Sequence, residues 1–235
     1  MFCPNQPGKM ELTLVEGFLL LALDNRKGTF LIDSIALNHG LAGAVLMKLT
    51  ILKKIRIEQR RVYVVDTSDT GSPFLNSMLG VIAQSQKQRK VRQWVTRLAS
   101  RLRNKKQMLF DRLIKEGVLN KERKKILGII PHTVYPTLDP AREDALRSRM
   151  LDVIQGNKEP DPRSVMLLSL LEATKLTRVL FHHRKQYRQA RRRIRELTSE
   201  YEVGNMIHTT IREVCSVVIT ASTSAAVKAS SGPSR

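Results

Sequence analysis

Acidic residues are what this sequence is short of: 21 Asp plus Glu stand against 41 Lys plus Arg, a formal net charge of +20. Such an excess implies an anionic partner, either nucleic acid or a membrane surface. Aromatics are scarce too, at 5% with one tryptophan. They are not interleaved with the basic residues, which argues against base stacking along a single strand. The two cysteines, Cys3 and Cys215, lie near opposite ends and no C-x-x-C occurs, so neither a disulfide framework nor a thiolate metal site is expected. A reducing compartment is the default. No run approaches the ~20 apolar residues of a membrane span, and the apolar stretch 214–227 is diluted by Ser216, Thr220, Ser222, Thr223 and Ser224. Glu11 and Glu16 interrupt the apolar stretch behind Lys9, so no secretory signal is read there. A protein of this kind meets a membrane from outside.

Catalytic patterns are also missing. No G-x-x-x-x-G-K-[ST], G-x-G-x-x-G or G-x-S-x-G occurs, and the histidines form neither H-E-x-x-H nor a zinc-finger spacing. His182 and His183 sit beside Arg184 and Lys185, surroundings that repel a metal cation. Asp69-Thr70-Gly71 has the letters of an aspartic-protease triplet, but Thr67 and Ser68 lead into it where apolar residues are needed, and turn chemistry accounts for it. The expectation is no enzyme, no catalytic residue, no metal and no cofactor.

What is present is a normal core, with 42% apolar and 26% charged residues, and a charge concentrated in two places. Residues 87–125 hold 15 basic and 3 acidic side chains, and residues 178–195 hold 8 basic and none acidic. Together they account for the whole net charge. Apolar periodicity predicts helices over 10–23, 41–52, 91–103, 108–115, 141–154, 164–181 and 187–197, with a last one starting near Met206. The small residues of 41–44 suit the close approach of another helix. Alternation over 55–65 predicts a β-hairpin without the favoured Asn-Gly turn. Residues 120–125 read as a charged turn before a β-like run at 126–130. Residues 1–9 read as a flexible leader, 10–228 as one globular helical domain, and 229–235 as a polar tail. The fold class is mainly α, with one or two small β-hairpins.

Several stretches together resemble the Golgi phosphoprotein 3 family. Leu12-Thr13-Leu14-Val15-Glu16 with Leu19-Leu20-Leu21-Ala22-Leu23 is similar to its opening helix. Gly40-Leu41-Ala42-Gly43-Ala44 is similar to its small-residue helix, and Lys54-Ile55-Arg56-Ile57 to its G-R-I strand. Asp69-Thr70-Gly71 falls where the family has a P-T-G-like loop. Trp94-Val95, Leu102-Arg103-Asn104 and Leu113-Ile114-Lys115-Glu116-Gly117-Val118-Leu119 match its W-I, L-R-N and L-V-E-K-G-I-L at the same spacing. The resemblance covers about residues 11–220.

The resemblance implies a cytosolic, non-catalytic peripheral membrane adaptor. Its eukaryotic relatives bind phosphatidylinositol 4-phosphate at the Golgi and retain glycosyltransferases there. Of the family's headgroup pocket, Arg103 is in place and Lys106 takes the second position of R-x-x-R. Ala42 replaces the arginine of G-L-R-G-G, and no tryptophan lies near Leu31 or Asp33. Lysine keeps the charge but not the bidentate fork. Arg97, Arg101 and Lys105 would widen the face, and Arg191, Arg192, Arg193 and Arg195 would extend it if the two segments lie together. The family's hairpin for oligomer contact and membrane insertion corresponds to 128–138, with Ile129, Ile130, Val134 and Tyr135 as its apolar residues. The G-L-A-G-A version and the short leader resemble bacterial members. The expected localisation is the cytosolic face of the Golgi in a eukaryote, or the cytoplasm in a bacterium. The expected partners are an anionic phosphoinositide-like headgroup and a second copy of the chain. The same cations leave two alternatives: a winged-helix-like nucleic-acid binder, and a scaffold without a specific anionic ligand.

Overall fold

The computed structural model describes residues 12–126, 130–181, 183–200, 213–221 and 223. The leader, the tail and the expected start of a helix near Met206 lie outside them. Helix α1 (Leu14–Leu21) opens on a capping box in which the Thr13 N–H donates to Glu16 Oε2 at 2.7 Å and Thr13 Oγ1 accepts from the Glu16 N–H. Helix α2 (Ser34–Ile51) starts seven residues before the expected boundary. Asp33 caps it, accepting from the N–H groups of Ile35 and Ala36 at 2.8 and 2.9 Å.

Helix α2 organises the core. A Cβ at Gly40 would lie 2.3 Å from the Phe18 ring, and one at Gly43 would lie 2.9 Å from both Leu170 and Val214. Glycine at these two positions therefore lets α1, α7 (Pro162–Ala173) and the helix at 213–221 close onto α2. By length and composition α2 is apolar enough to span a bilayer, with a mean hydropathy of 1.3, but 72% of it is buried within the fold. It is the central core helix, and no other described helix is both that long and that apolar.

The remaining elements wrap this axis. Strands β1 (Ile55–Glu58) and β2 (Arg61–Val64) form the first hairpin, with Glu58 opposite Arg61. Its two-residue turn puts Gln59 and Arg60 at φ 45° and 62°, the backbone of a type I′ turn without its usual Asn-Gly. Asp69, Thr70 and Gly71 form a loop, with the Thr70 N–H donating to Asn76 Oδ1 at 2.9 Å. Helix α3 (Pro73–Ala83) follows. Helix α4 (Val91–Lys105) packs along α2 with Trp94, Val95, Leu98, Ala99 and Leu102 buried, and α5 (Gln107–Lys115) begins one residue later.

The stretch expected to be a charged turn is a strand. Strand β3 (Glu122–Ile126) pairs antiparallel with β4 (Ile130–Val134), Lys124 facing His132. Arg123, Lys124 and Lys125 are exposed, and a solvent-facing ribbon has no buried side to impose alternation. Lysines and Pro131 on its edges also discourage pairing with another chain. Helix α6 (Pro140–Gln155) ends at Gly156 with φ 79°. The expected helix over 164–181 is two: α7 stops at Ala173, Lys175 turns to φ 64°, and α8 (Thr177–Leu180) restarts. Helix α9 (Arg184–Glu200) lies on α7 with Ala190, Ile194 and Leu197 inward.

Candidate anion-binding site

The loop after α1 places an aromatic ring beside the basic end of α4. Gly28, at φ 65°, sits so close to the chain at Tyr135-Pro136 that a Cβ there would lie 2.4 Å from the Pro136 nitrogen. The Tyr135 N–H donates to the Gly28 carbonyl at 2.8 Å, and the Thr137 N–H donates to that of Asn25. Side chains continue the seam. Tyr135 stacks on Phe110 at 3.8 Å between centroids, and Phe110 meets Phe30 at 6.1 Å. The Tyr135 hydroxyl donates to Gln107 Oε1 at 3.2 Å.

Lys106 lies over this aromatic group. It is the single residue between α4 and α5, and its Nζ stands 5.7 Å from the centroid of the Phe30 ring. That is within the range of a cation–π contact. Burial, and secondarily the Arg103 charge, hold its pKa below the ordinary lysine value. Arg103 is exposed on the last turn of α4. Among the described residues neither cation carries an ion pair. Two like charges held together, one of them half desolvated on an aromatic face, gain from a bound anion on both counts.

The structure thus brings Arg103 and Lys106 together and adds Phe30, which sequence reasoning missed. Phe30 is the one aromatic between Phe18 and Tyr63, which singles it out but does not join it to the two cations. Ala42 is fully buried in α2. The expected widening of the face goes elsewhere. At about 100° per residue, Arg101 and Lys105 point about 160° away from Arg103, and Arg92 shares its flank instead. Arg92, Arg97, Arg101 and Lys105 are all exposed.

The basic segment on α9 does not extend this site. The packing runs α4 on α2, α2 on α7 and α7 on α9, so α2 and α7 stand between the two basic helices along that series. Arg192 and Arg193 pair with Glu196 at 3.4 Å, and Arg191 pairs with Glu172. Arg195 is exposed on the same helix. The apolar hairpin residues also divide. Val134 and Tyr135 stand at its base and are buried, 2% and 9% exposed, because Tyr135 stacks into the aromatic group. The Ile130 backbone opens β4 opposite Ile126, and Ile129 lies outside the described residues.

Among the described residues the fold is mainly helical with two small antiparallel hairpins. The family model described as Golgi phosphoprotein 3 (GPP34) matches residues 14–214, and the chain belongs to that family. Among its relatives is the vacuolar protein sorting-associated protein 74 of Schizosaccharomyces pombe, 26% identical over 164 residues, covering 61% of this chain and 48% of that protein. The protein of the same name from Eremothecium gossypii is 26% identical over 166 residues, covering 61% and 49%. The chain spans about half the length of the curated relatives it matches.

Proposed function

We propose that this chain is a non-enzymatic peripheral membrane adaptor that docks on anionic phospholipid headgroups through Arg103 and Lys106, with Phe30 as the wall. The observation that carries this reading is Lys106, half-buried over an aromatic ring beside Arg103, with no acid paired to either among the described residues. The proposed ligand is phosphatidylinositol 4-phosphate. A monoester phosphate accepts from the Arg103 fork and the Lys106 ammonium at once, while the inositol ring lies against Phe30. Phe30 lies next to Leu31, one of the two positions where the resemblance led to a search for a tryptophan, and in this reading it supplies the aromatic wall, while Ala42 supplies no cation. The proposed setting is the cytosolic face of Golgi membranes or the equivalent surface, which agrees with relatives named for vacuolar protein sorting. The proposed role is to link that membrane to protein clients.

Co-sedimentation with vesicles at physiological salt tests the reading. Phosphatidylinositol 4-phosphate vesicles are compared with phosphatidylserine vesicles of equal charge, with duplex DNA as competitor. Preference for the phosphoinositide supports a headgroup site. Equal binding to both reduces the site to general electrostatic attraction, worth ~1 kcal/mol per cation. Binding to neither, with DNA held tightly, refutes the proposal in favour of a nucleic-acid binder.

A further inference from the structure

An arginine-lined groove lies beside α9. It is an open groove of about 460 Å³ between α8, Phe181 and the first half of α9, lined by Arg178, Phe181, Arg184, Tyr187, Arg188 and Arg191. The positions 184, 188 and 191 recur at helical spacing, so one stripe of α9 presents three guanidiniums to the groove. Arg178 completes the ring from the α8 side, its guanidinium 5.5 Å from the centroid of Tyr187. Arg191 is held by Glu172, which also accepts from the Thr177 hydroxyl at 2.8 Å, so the chain on either side of the groove is tied to α7. Among the described residues Arg178, Arg184 and Arg188 have no ion pair, and residues 178–195 contain no acid.

We propose that this groove is a separate anion site for a compact soluble polyphosphate, two or more phosphate groups on a small carrier. Charge kept only for solubility is dispersed and interspersed with acids. Here it converges on one concave space with two aromatic side chains in its wall. Arginine forks suit phosphate oxygens bidentately, and the three without an acid partner among the described residues, Arg178, Arg184 and Arg188, match more than one phosphate group. The volume falls in the small-molecule class of roughly 300–1,000 Å³, which favours a compact ligand over a polymer track. Its place on α9, separated from α4 by α2 and α7 along the packing series, favours a soluble ligand over the headgroup of a membrane engaged through α4.

Isothermal titration of the full chain in an Arg103→Gln/Lys106→Gln background isolates this site from the proposed headgroup site. The probes are inositol hexakisphosphate and sodium tripolyphosphate at physiological salt. The expected result is saturable one-to-one binding, weakened about tenfold or more by adding Arg184→Gln/Arg188→Gln, as loss of charge-assisted hydrogen bonds implies. Both substituted residues are exposed, so the circular dichroism melting curve should not move. Arg184→Lys/Arg188→Lys should fall between, keeping charge and losing the forks. Absence of saturable binding overturns the proposal, as does binding indifferent to the α9 substitutions. Two further outcomes also overturn it: affinity for anionic vesicles alone, and affinity for duplex RNA without affinity for either small probe. Because the headgroup cations are already removed, failure here leaves the membrane reading standing, and the reverse holds.

Discussion

Arg112→Ala strands a buried carboxylate, and its cost can be worked from the geometry. Glu16 is 1% exposed within the first turn of α1. Arg112 of α5 reaches it at 2.8 Å with 29% of its own side chain exposed. Without the guanidinium, Glu16 keeps the Thr13 N–H at 2.7 Å but loses its counter-charge. Breaking a buried pair costs about 3–5 kcal/mol. Partial exposure of the arginine puts this one near the lower end, about 3 kcal/mol, or roughly 6–12 °C in Tm for a chain of this size. Glutamine at position 16 preserves the capping box while removing the charge. Glu16→Gln/Arg112→Ala should therefore recover to within about 1 kcal/mol of the native chain. Urea denaturation followed by circular dichroism measures all three proteins. If the double variant is as unstable as Arg112→Ala alone, the loss comes from the missing arginine stem and the stranded-charge argument fails.

Other outcomes follow from the same structure. Gln59→Asn should raise stability by about 0.5–1 kcal/mol by suiting the left-handed turn, seen as a later urea midpoint; an unchanged or earlier midpoint counts against the type I′ assignment. Gly40→Ala should cost about 1–3 kcal/mol, since its methyl would meet the Phe18 ring at 2.3 Å and Thr174 at 2.9 Å; a neutral result would mean that α1 and α7 are not closed on α2. Lys106 carries a pKa held below 10.5 by burial and then by Arg103. Between that lowered value and 10.5 the unfolded chain binds the extra proton, so the lysine's desolvation cost fades and stability from this group rises with pH there. Charge at the site is lost over the same window. Vesicle binding should decline on the alkaline side before an ordinary lysine would titrate, and Lys106→Arg should abolish that decline.

Elements with one wet face were the legible ones. Helix α4 buries Val91, Trp94, Val95, Leu98 and Leu102 and exposes its cations, and its limits were readable to within two residues. The first two turns of α2 were not, because Ser34, Asn38, His39 and Gly40 are weak helix formers that tertiary burial overrides. The break at Lys175 was hidden inside a continuous apolar run, where periodicity carries no phase. Strand β3 was hidden for the opposite reason, since Arg123, Lys124 and Lys125 all face solvent. In the site, Arg103 and Lys106 were legible through the family resemblance, which matched them to R-x-x-R. Phe30 could not be joined to them from sequence. It lies 76 positions before Lys106 and arrives through the Gly28–Tyr135 seam, which is a long-range contact.

The central claim is that Arg103 and Lys106 form a headgroup site and not merely part of a basic surface. The most direct test sets Arg103→Gln/Lys106→Gln against Arg97→Gln/Arg101→Gln, which removes the same two charges from the other flank of α4. Both are assayed on phosphatidylinositol 4-phosphate and phosphatidylserine vesicles of equal charge. The account predicts that the first pair loses the preference for the phosphoinositide, while the second keeps the preference with weaker, salt-dependent binding to both. Equal loss from the two pairs, with selectivity unchanged, would contradict it.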